Sequence, residues 1–123
     1  MMTMKALVVD DSAVMRKVLI GALVRAEITE VDQAADGKEA LDAAIANEYG
    51  LVLMDWNMPN MLGIDAVRAI RAAGKTMPII MVTTEAEKSR VIEALKAGAN
   101  NYIIKPFEPS TIVSKIQEVL AKA

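Results

Sequence analysis

The chain has 123 residues, 54% of them hydrophobic, which is enough for one domain with its own core. Its 14 basic and 16 acidic residues leave a net charge of -2, so there is no basic footprint for nucleic acid. It has no cysteine and no histidine, which excludes disulfides, thiol chemistry, imidazole metal ligands and a histidine-based triad.

The opening residues, Met1 to Lys5, lack the apolar run and cleavage site of a signal peptide. No stretch approaches the roughly 20 consecutive apolar residues of a membrane span, so a cytoplasmic protein without membrane contact is expected. Lys5 to Val9 reads as a buried strand closed by two acids, Asp10 and Asp11. Met15, Val18, Leu19 and Leu23 recur at helical spacing and predict a helix over about 12–25. A weaker strand signal covers 28–35. Asp36, with Glu39 three residues on, predicts the capped start of a second helix. Ala40, Leu41, Ala44 and Ile45 would be its inner face, and Gly50 its C-cap signal.

Leu51 to Met54 then run straight into Asp55, as a fully buried strand does when it carries a carboxylate to its end. Met61-Leu62-Gly63 is turn material. A third helix follows, with Ile64, Val67 and Ile70 on one stripe, Arg68 and Arg71 on the other, and Gly74 and Pro78 past its end. Ile79 to Val82 is a fourth buried strand leading to Thr83. Thr84 and Glu87 suit a capping box for helix four, Val91, Ile92 and Leu95 its buried stripe, and Gly98 its stop. Tyr102 to Ile104 reads as a fifth strand before Lys105-Pro106. Pro109 suits the first position of a last helix, whose inner face is Ile112, Val113, Ile116, Val119 and Leu120.

Five strand–helix units in residues 1–123 imply a single α/β domain, a doubly wound five-stranded parallel sheet with helices on both faces. Crossovers should be right-handed, and a ligand crevice should lie beyond the carboxyl ends of the strands. Those ends carry Asp10, Asp11, Asp55, Thr83 and Lys105. Three clustered carboxylates repel one another unless a cation joins them, and oxygen-only ligands suit Mg²⁺. A hydroxyl and an ammonium complete the donors for a phosphoryl group. The set suits phosphoryl transfer to a carboxylate, with Asp55 as nucleophile.

Blander roles exist for each residue. Asp55 alone would be a turn acid, Asp10 or Asp11 a helix cap, and Lys105 a surface lysine; agreement among four strand ends favours the site. Thr84 suits a cap better than Thr83. Trp56 reads as local packing or surface. The nine methionines read mostly as core filler, and Arg16, Lys17, Arg68 and Arg71 as solvated helix faces.

Asp10-Asp11-Ser12, Asp55-Trp56-Asn57-Met58-Pro59, Thr83 and Lys105-Pro106-Phe107 resemble the signature of bacterial response-regulator receiver domains, and within that family the chemotaxis type. The resemblance covers essentially the whole chain. It implies a flavodoxin-like strand order 2-1-3-4-5 and phosphorylation of Asp55 by a histidine kinase. It also implies Mg²⁺ held by Asp11, Asp55 and the Asn57 carbonyl, with Asp10 acting through water. Lys105 would contact the phosphoryl group. Thr83 and Tyr102 would switch, and the Lys105-Pro106 bond would be cis.

By matching position, Ala86, Lys88, Tyr102, Ile104, Phe107 and Lys115 would meet a downstream protein such as a flagellar motor switch. Asn57 and Glu85 would approach the hydrolytic water, giving a short-lived phosphoryl group. Leu62-Gly63 departs from the family's usual Asp-Gly, which removes an acid cap and leaves Leu62 exposed. The expected protein is a monomeric, stand-alone response regulator that catalyses only its own phosphorylation and dephosphorylation. Alternatives are a phosphorelay shuttle, a detached input domain of a transcriptional regulator, or a receiver-like fold that binds without phosphate. A further one is a phosphohydrolase of the haloacid-dehalogenase type, which would need an acid where Asn57 stands.

Overall fold

The computed structural model describes residues 4–122. Met1 to Thr3, on which the absence of a leader is partly read, lie outside the described residues, as does Ala123. Strands and helices alternate: β1 (Lys5–Val9), α1 (Ala13–Arg25), β2 (Glu30–Ala34), α2 (Gly37–Ala46), β3 (Leu51–Met54), α3 (Gly63–Ala72), β4 (Ile79–Thr83), α4 (Lys88–Ala97), β5 (Asn101–Ile104) and α5 (Pro109–Lys122). All four strand pairings are parallel, in the order β2-β1-β3-β4-β5. That is the order implied by the resemblance.

The three central strands read as unbroken apolar runs because both their faces are covered. Alternate residues divide between two cores. Leu7, Val9, Val52, Met54, Ile79 and Met81 face the layer of α2 and α3 with Ala94 of α4, while Ala6, Val8, Leu51, Leu53, Ile80 and Val82 face α1 and α5. Trp56 is buried in the first of these cores, as are Met58 and, in part, Met61. The methionines of the β3–α3 loop are packing, as expected. Leu62 is exposed at the start of α3, with no side-chain cap.

Several helix faces differ from the expectation. In α1 the buried residues are Leu19, Ala22 and Leu23, and Val18 is exposed, because the sheet-facing stripe is narrower than the apolar pattern. In α2 Ala40 and Ala44 are buried but Ile45 is exposed. Gly50 is not its C-cap; Asn47 is, in an extended conformation, and its side-chain amide donates to the Ala43 carbonyl. Helix α4 starts after Glu87 without a side-chain cap, so Thr84 and Glu87 form no capping box. Only Ala94 of α4 is fully buried. Ile92 and Leu95 are exposed, because the helix approaches the sheet through its small residue and its larger apolar side chains flank that contact. Gly98, at φ 119°, ends α4 as expected.

Two of the helix arginines are not simply solvated. Arg71 donates to the carbonyls of Gly98 and Lys75 and to Asn100 Oδ1, tying the end of α3 to the end of α4; burial pushes its guanidinium pKa down. Arg16 donates to the Asp10 carbonyl at 2.7 Å and to Gln33 Oε1 at 2.9 Å.

Candidate functional site

The register of the sheet assembles the site. Val9 at the end of β1 pairs with Met54 at the end of β3, so Asp10 and Asp55 leave adjacent strands side by side. Thr83 pairs with Ile104, which brings Lys105 to the same edge. Carboxylate oxygens of Asp10, Asp11 and Asp55 lie within 4.8 Å of one another. Lys105 Nζ is 2.7 Å from Asp10 Oδ2 and 3.6 Å from Asp55 Oδ2. The structure thus brings together five of the residues singled out in the sequence. The Lys105-Pro106 peptide is cis.

Asp10 is buried, and both its oxygens are engaged: Oδ1 accepts the Ser12 N–H at 2.9 Å and Oδ2 accepts from Lys105. Asp55 is also buried, and its Oδ1 accepts the Trp56 N–H at 2.7 Å. Burial pushes the Asp55 carboxyl pKa above the usual carboxylate range; the Lys105 ammonium pulls it down and the Asp10 charge pushes it further up. Asp11 lies exposed at the rim. Three carboxylates against one ammonium leave an excess of negative charge, and hard oxygen donors at this spacing fit Mg²⁺.

The loop after Asp55 is folded tightly under it. Gly63 donates its N–H to the Trp56 carbonyl at 2.8 Å, and a Cβ on Gly63 would fall 1.7 Å from the Asp55 carbonyl oxygen. Only glycine allows this approach. The same loop is pinned to α2. Asn60 donates to Asp36 Oδ2 at 2.6 Å and the Gly37 N–H donates to the Met61 carbonyl at 3.2 Å. Asp36 Oδ1 meanwhile caps α2 through the Glu39 N–H. These bonds hold the Asp36 carboxyl below the usual range, the Glu39 N–H first and Asn60 next.

On the other side the β4–α4 loop is centred on Glu85. Its N–H donates to Thr83 Oγ1 at 3.3 Å, and its carboxylate accepts from Asn57 Nδ2 at 2.8 Å. Tyr102, half-buried, donates its hydroxyl to the Glu85 carbonyl at 2.6 Å. Its own pKa is pushed up to about 12, chiefly by burial and then by the Glu85 charge. Asn57 is exposed, with its amide turned to Glu85. Of the residues matched to a partner surface, Ala86, Lys88 and Ile104 are exposed, while Tyr102, Phe107 and Lys115 are partly covered. Ala86 lies on the β4–α4 loop, Lys88 on α4, Tyr102 and Ile104 on β5, Phe107 on the β5–α5 loop and Lys115 on α5.

Ser12, Arg16 and Arg90 were not assigned to the site from the sequence. Ser12 had a readable signal, since a serine ahead of an apolar helical pattern is a natural N-cap, and it caps α1 through the Met15 N–H. The contacts of Arg16 with Asp10 and Gln33, and of Arg90 with Glu85 and the Trp56 ring, carry no local signature, because they depend on strand register and loop path.

A family model for the response regulator receiver domain matches residues 6–117. The chain is 51% identical over 120 residues to the chemotaxis protein CheY homolog of Campylobacter jejuni, covering 95% of this chain and 92% of that one. It is 49% identical to the chemotaxis protein CheY1 of Helicobacter pylori, covering 95% and 97%. Among solved structures it is similar to Vibrio cholerae CheY4, with a TM-score of 0.87 and 38% identity over 96% of this chain and 99% of that one. It also matches the CheY-like receiver domain protein of Methanospirillum hungatei, with a TM-score of 0.90 and 30% identity over 98% and 96%. The chain belongs to the response regulator receiver domain family, the signalling switches of two-component systems.

Proposed function

We propose that the protein is a stand-alone response regulator of chemotaxis whose Asp55 accepts a phosphoryl group from a histidine kinase, and whose phosphorylated form binds a downstream protein. The observation that carries this reading is the buried Asp55 carboxylate set 3.6 Å from the Lys105 ammonium and inside a cluster of two further acids. An Asp55 oxygen attacks phosphorus, the bond from phosphorus to the donor imidazole nitrogen breaks, and the electron pair stays with the ring. Lys105, which bridges Asp10 and Asp55 in the unphosphorylated protein, neutralises the charge brought to Asp55. Asp11, Asp55 and the Asn57 carbonyl would hold Mg²⁺, with Asp10 helping through water. When bound, that ion supplies charge neutralisation for the phosphoryl oxygens.

Thr83 and Tyr102 give the switch a physical basis. The Thr83 hydroxyl is fully buried and presently accepts the Glu85 N–H, and the Glu85 carbonyl accepts from Tyr102. A Thr83 hydroxyl turned to the phosphoryl group gives up Glu85, which frees the loop that Tyr102 grips. Phosphate therefore biases the surface of Ala86, Lys88, Tyr102, Ile104, Phe107 and Lys115 towards one of two arrangements. Asn57 and Glu85 flank the path of the hydrolytic water, which supports a short-lived phosphoryl group. The chemotaxis assignment rests on the names of relatives at about half identity, and a flagellar motor switch is the target it suggests. A cytoplasmic location fits that role; among the described residues no helix is long and apolar enough to cross a membrane.

Incubation with acetyl phosphate and Mg²⁺ tests the proposal. Mass spectrometry should find phosphate on Asp55, and the Asp55→Asn protein should gain none. Binding to the motor-switch protein should rise with the beryllofluoride-treated form. Phosphate absent from Asp55 in the wild type overturns the reading; binding that ignores beryllofluoride overturns the switch.

A further inference from the structure

Glu85 carries a negative charge into the mouth of the site. Its Oε2 is fixed by the Asn57 amide, which is uncharged, and its Oε1 lies 3.7 Å from Arg90 Nε. Arg90 belongs to the first turn of α4, but its guanidinium sits over the ring of Trp56, with Cζ 5.4 Å from the ring centre. Its Nη1 also donates to Glu93 Oε1 at 3.1 Å, one turn along α4. Arg90 thus touches the residue next to the acceptor and, at the same time, the carboxylate that crosses from the β4–α4 loop to the β3–α3 loop. A guanidinium can stack on an indole and meet two carboxylates at once, which an ammonium cannot do equally well.

The loops that Glu85 and Asn57 join are the two that flank Asp55. A phosphoryl donor is an anion, and it must approach a centre that already holds three carboxylates. An unpaired Glu85 would add to that repulsion, and Arg90 is the cation set against it.

We propose that Arg90 is a positioning residue for phosphoryl uptake: anchored over Trp56, it holds Glu85 against Asn57 and cancels the charge that would repel an anionic donor from Asp55. The inference rests on Asp55 being the acceptor. In the transfer, an Asp55 oxygen bonds to the donor's phosphorus, the bond from phosphorus to the donor's leaving atom breaks, and the electron pair departs with that atom. Arg90 takes part in none of these bonds, and acts through Glu85. Its effect should therefore grow with donor charge, shrink with salt, and vanish when Glu85 is neutral.

Arg90→Met keeps an unbranched stem on the indole and removes the charge, whereas Arg90→Lys keeps the charge. Phosphate on Asp55 is followed by mass spectrometry in Mg²⁺ with two donors, acetyl phosphate and the less anionic phosphoramidate. At low salt Arg90→Met should slow uptake from acetyl phosphate about three- to tenfold, and less from phosphoramidate. The deficit should shrink near about 0.5 M salt, where charges more than about 4–5 Å apart are screened. In the Glu85→Gln background, Arg90→Met should have an initial rate of uptake within about twofold of the Glu85→Gln single variant, and Arg90→Lys alone should lose less than Arg90→Met. Normal uptake in Arg90→Met, a deficit that Glu85→Gln does not relieve, or an equal loss in Arg90→Lys overturns the inference. If wild type itself gains no phosphate on Asp55, it is the acceptor reading that fails. A normal wild type beside an unaffected Arg90→Met sinks the Arg90 role alone.

Discussion

A carboxylate as buried as Asp55 is held at a cost when ionised, and the Asp10 charge adds to that cost while Lys105 offsets part of it. Its folded pKa lies above the value of about 3.9 for a free aspartate. Between those two values the folded state holds more protons than the unfolded state, so stability falls as pH rises through the window and stays reduced above it. Asp55→Asn removes the charge and nearly keeps the shape. In metal-free buffer at pH 7 it should raise the melting temperature by roughly 2–6 °C. Millimolar Mg²⁺ should raise the wild-type midpoint and raise the Asp55→Asn midpoint less. A lower midpoint for metal-free Asp55→Asn would show that the acid is already well compensated.

Gly63 matters to the same residue from below. Gly63→Ala sets a methyl 1.7 Å from the Asp55 carbonyl oxygen unless the backbone moves, and should cost about 2–4 kcal/mol in urea unfolding. Asp55 and Lys105 were legible in the sequence because each ends an apolar run at the edge where parallel strands deliver their side chains. The need for glycine at 63 was not, since it depends on how the loop refolds under Asp55.

At the scale of elements, the central strands and α5 were readable because burial on both faces, or one wide apolar face, overrides local ambiguity. Helix α4 was misread for the converse reason. Val91, Ile92 and Leu95 have helical spacing, but its contact with the sheet runs through Ala94, and a small residue leaves little mark on a hydrophobic pattern. With one fully buried residue and no N-terminal side-chain cap, α4 should exchange its amide hydrogens faster than α3, which buries Gly63, Ile64, Ala66, Val67 and Ile70. Equal protection of the two helices would contradict this. Helix α3 has its own defect, since Leu62 stands at its N-cap and caps nothing. Leu62→Asp should stabilise the protein by about 0.5–1.5 kcal/mol, read from the urea midpoint.

For the whole molecule, the acid limb of stability should be set by three carboxylates shifted opposite to Asp55: Asp32, Asp36 and Glu93, the last held low by Arg68 and then Arg90. Asp32 is held below the usual range by the Tyr49 hydroxyl, which donates to it at 2.6 Å, and by Lys5 at 3.0 Å. Asp36 is held low by its capping bonds. A lowered folded pKa means that the unfolded state binds more protons. The stability these groups give is therefore full above about pH 4 and is lost as pH falls below it. Tyr49→Phe removes the main cause at Asp32, so the loss of stability between about pH 4 and 2 should become shallower. An unchanged slope, measured by urea titration at each pH, would leave Asp36 and other acids as its source. The fold order itself followed from resemblance; strand–helix alternation fixes a parallel sheet but not which strand lies at its edge.

The close seat of Gly63 under Asp55 has a mechanical consequence. Asp55 stands between two walls of unequal stiffness. One is backbone packed on backbone and locked to α2 through Asn60 and Asp36. The other is a loop hung on side-chain bonds to Glu85, beneath the lightly seated α4. A group added to Asp55 finds no room to yield on the first side. Under the proposed phosphorylation, displacement would be directed to the second, towards α4 and β5, and the missing side chain of a glycine would set that path as much as the acids of the pocket.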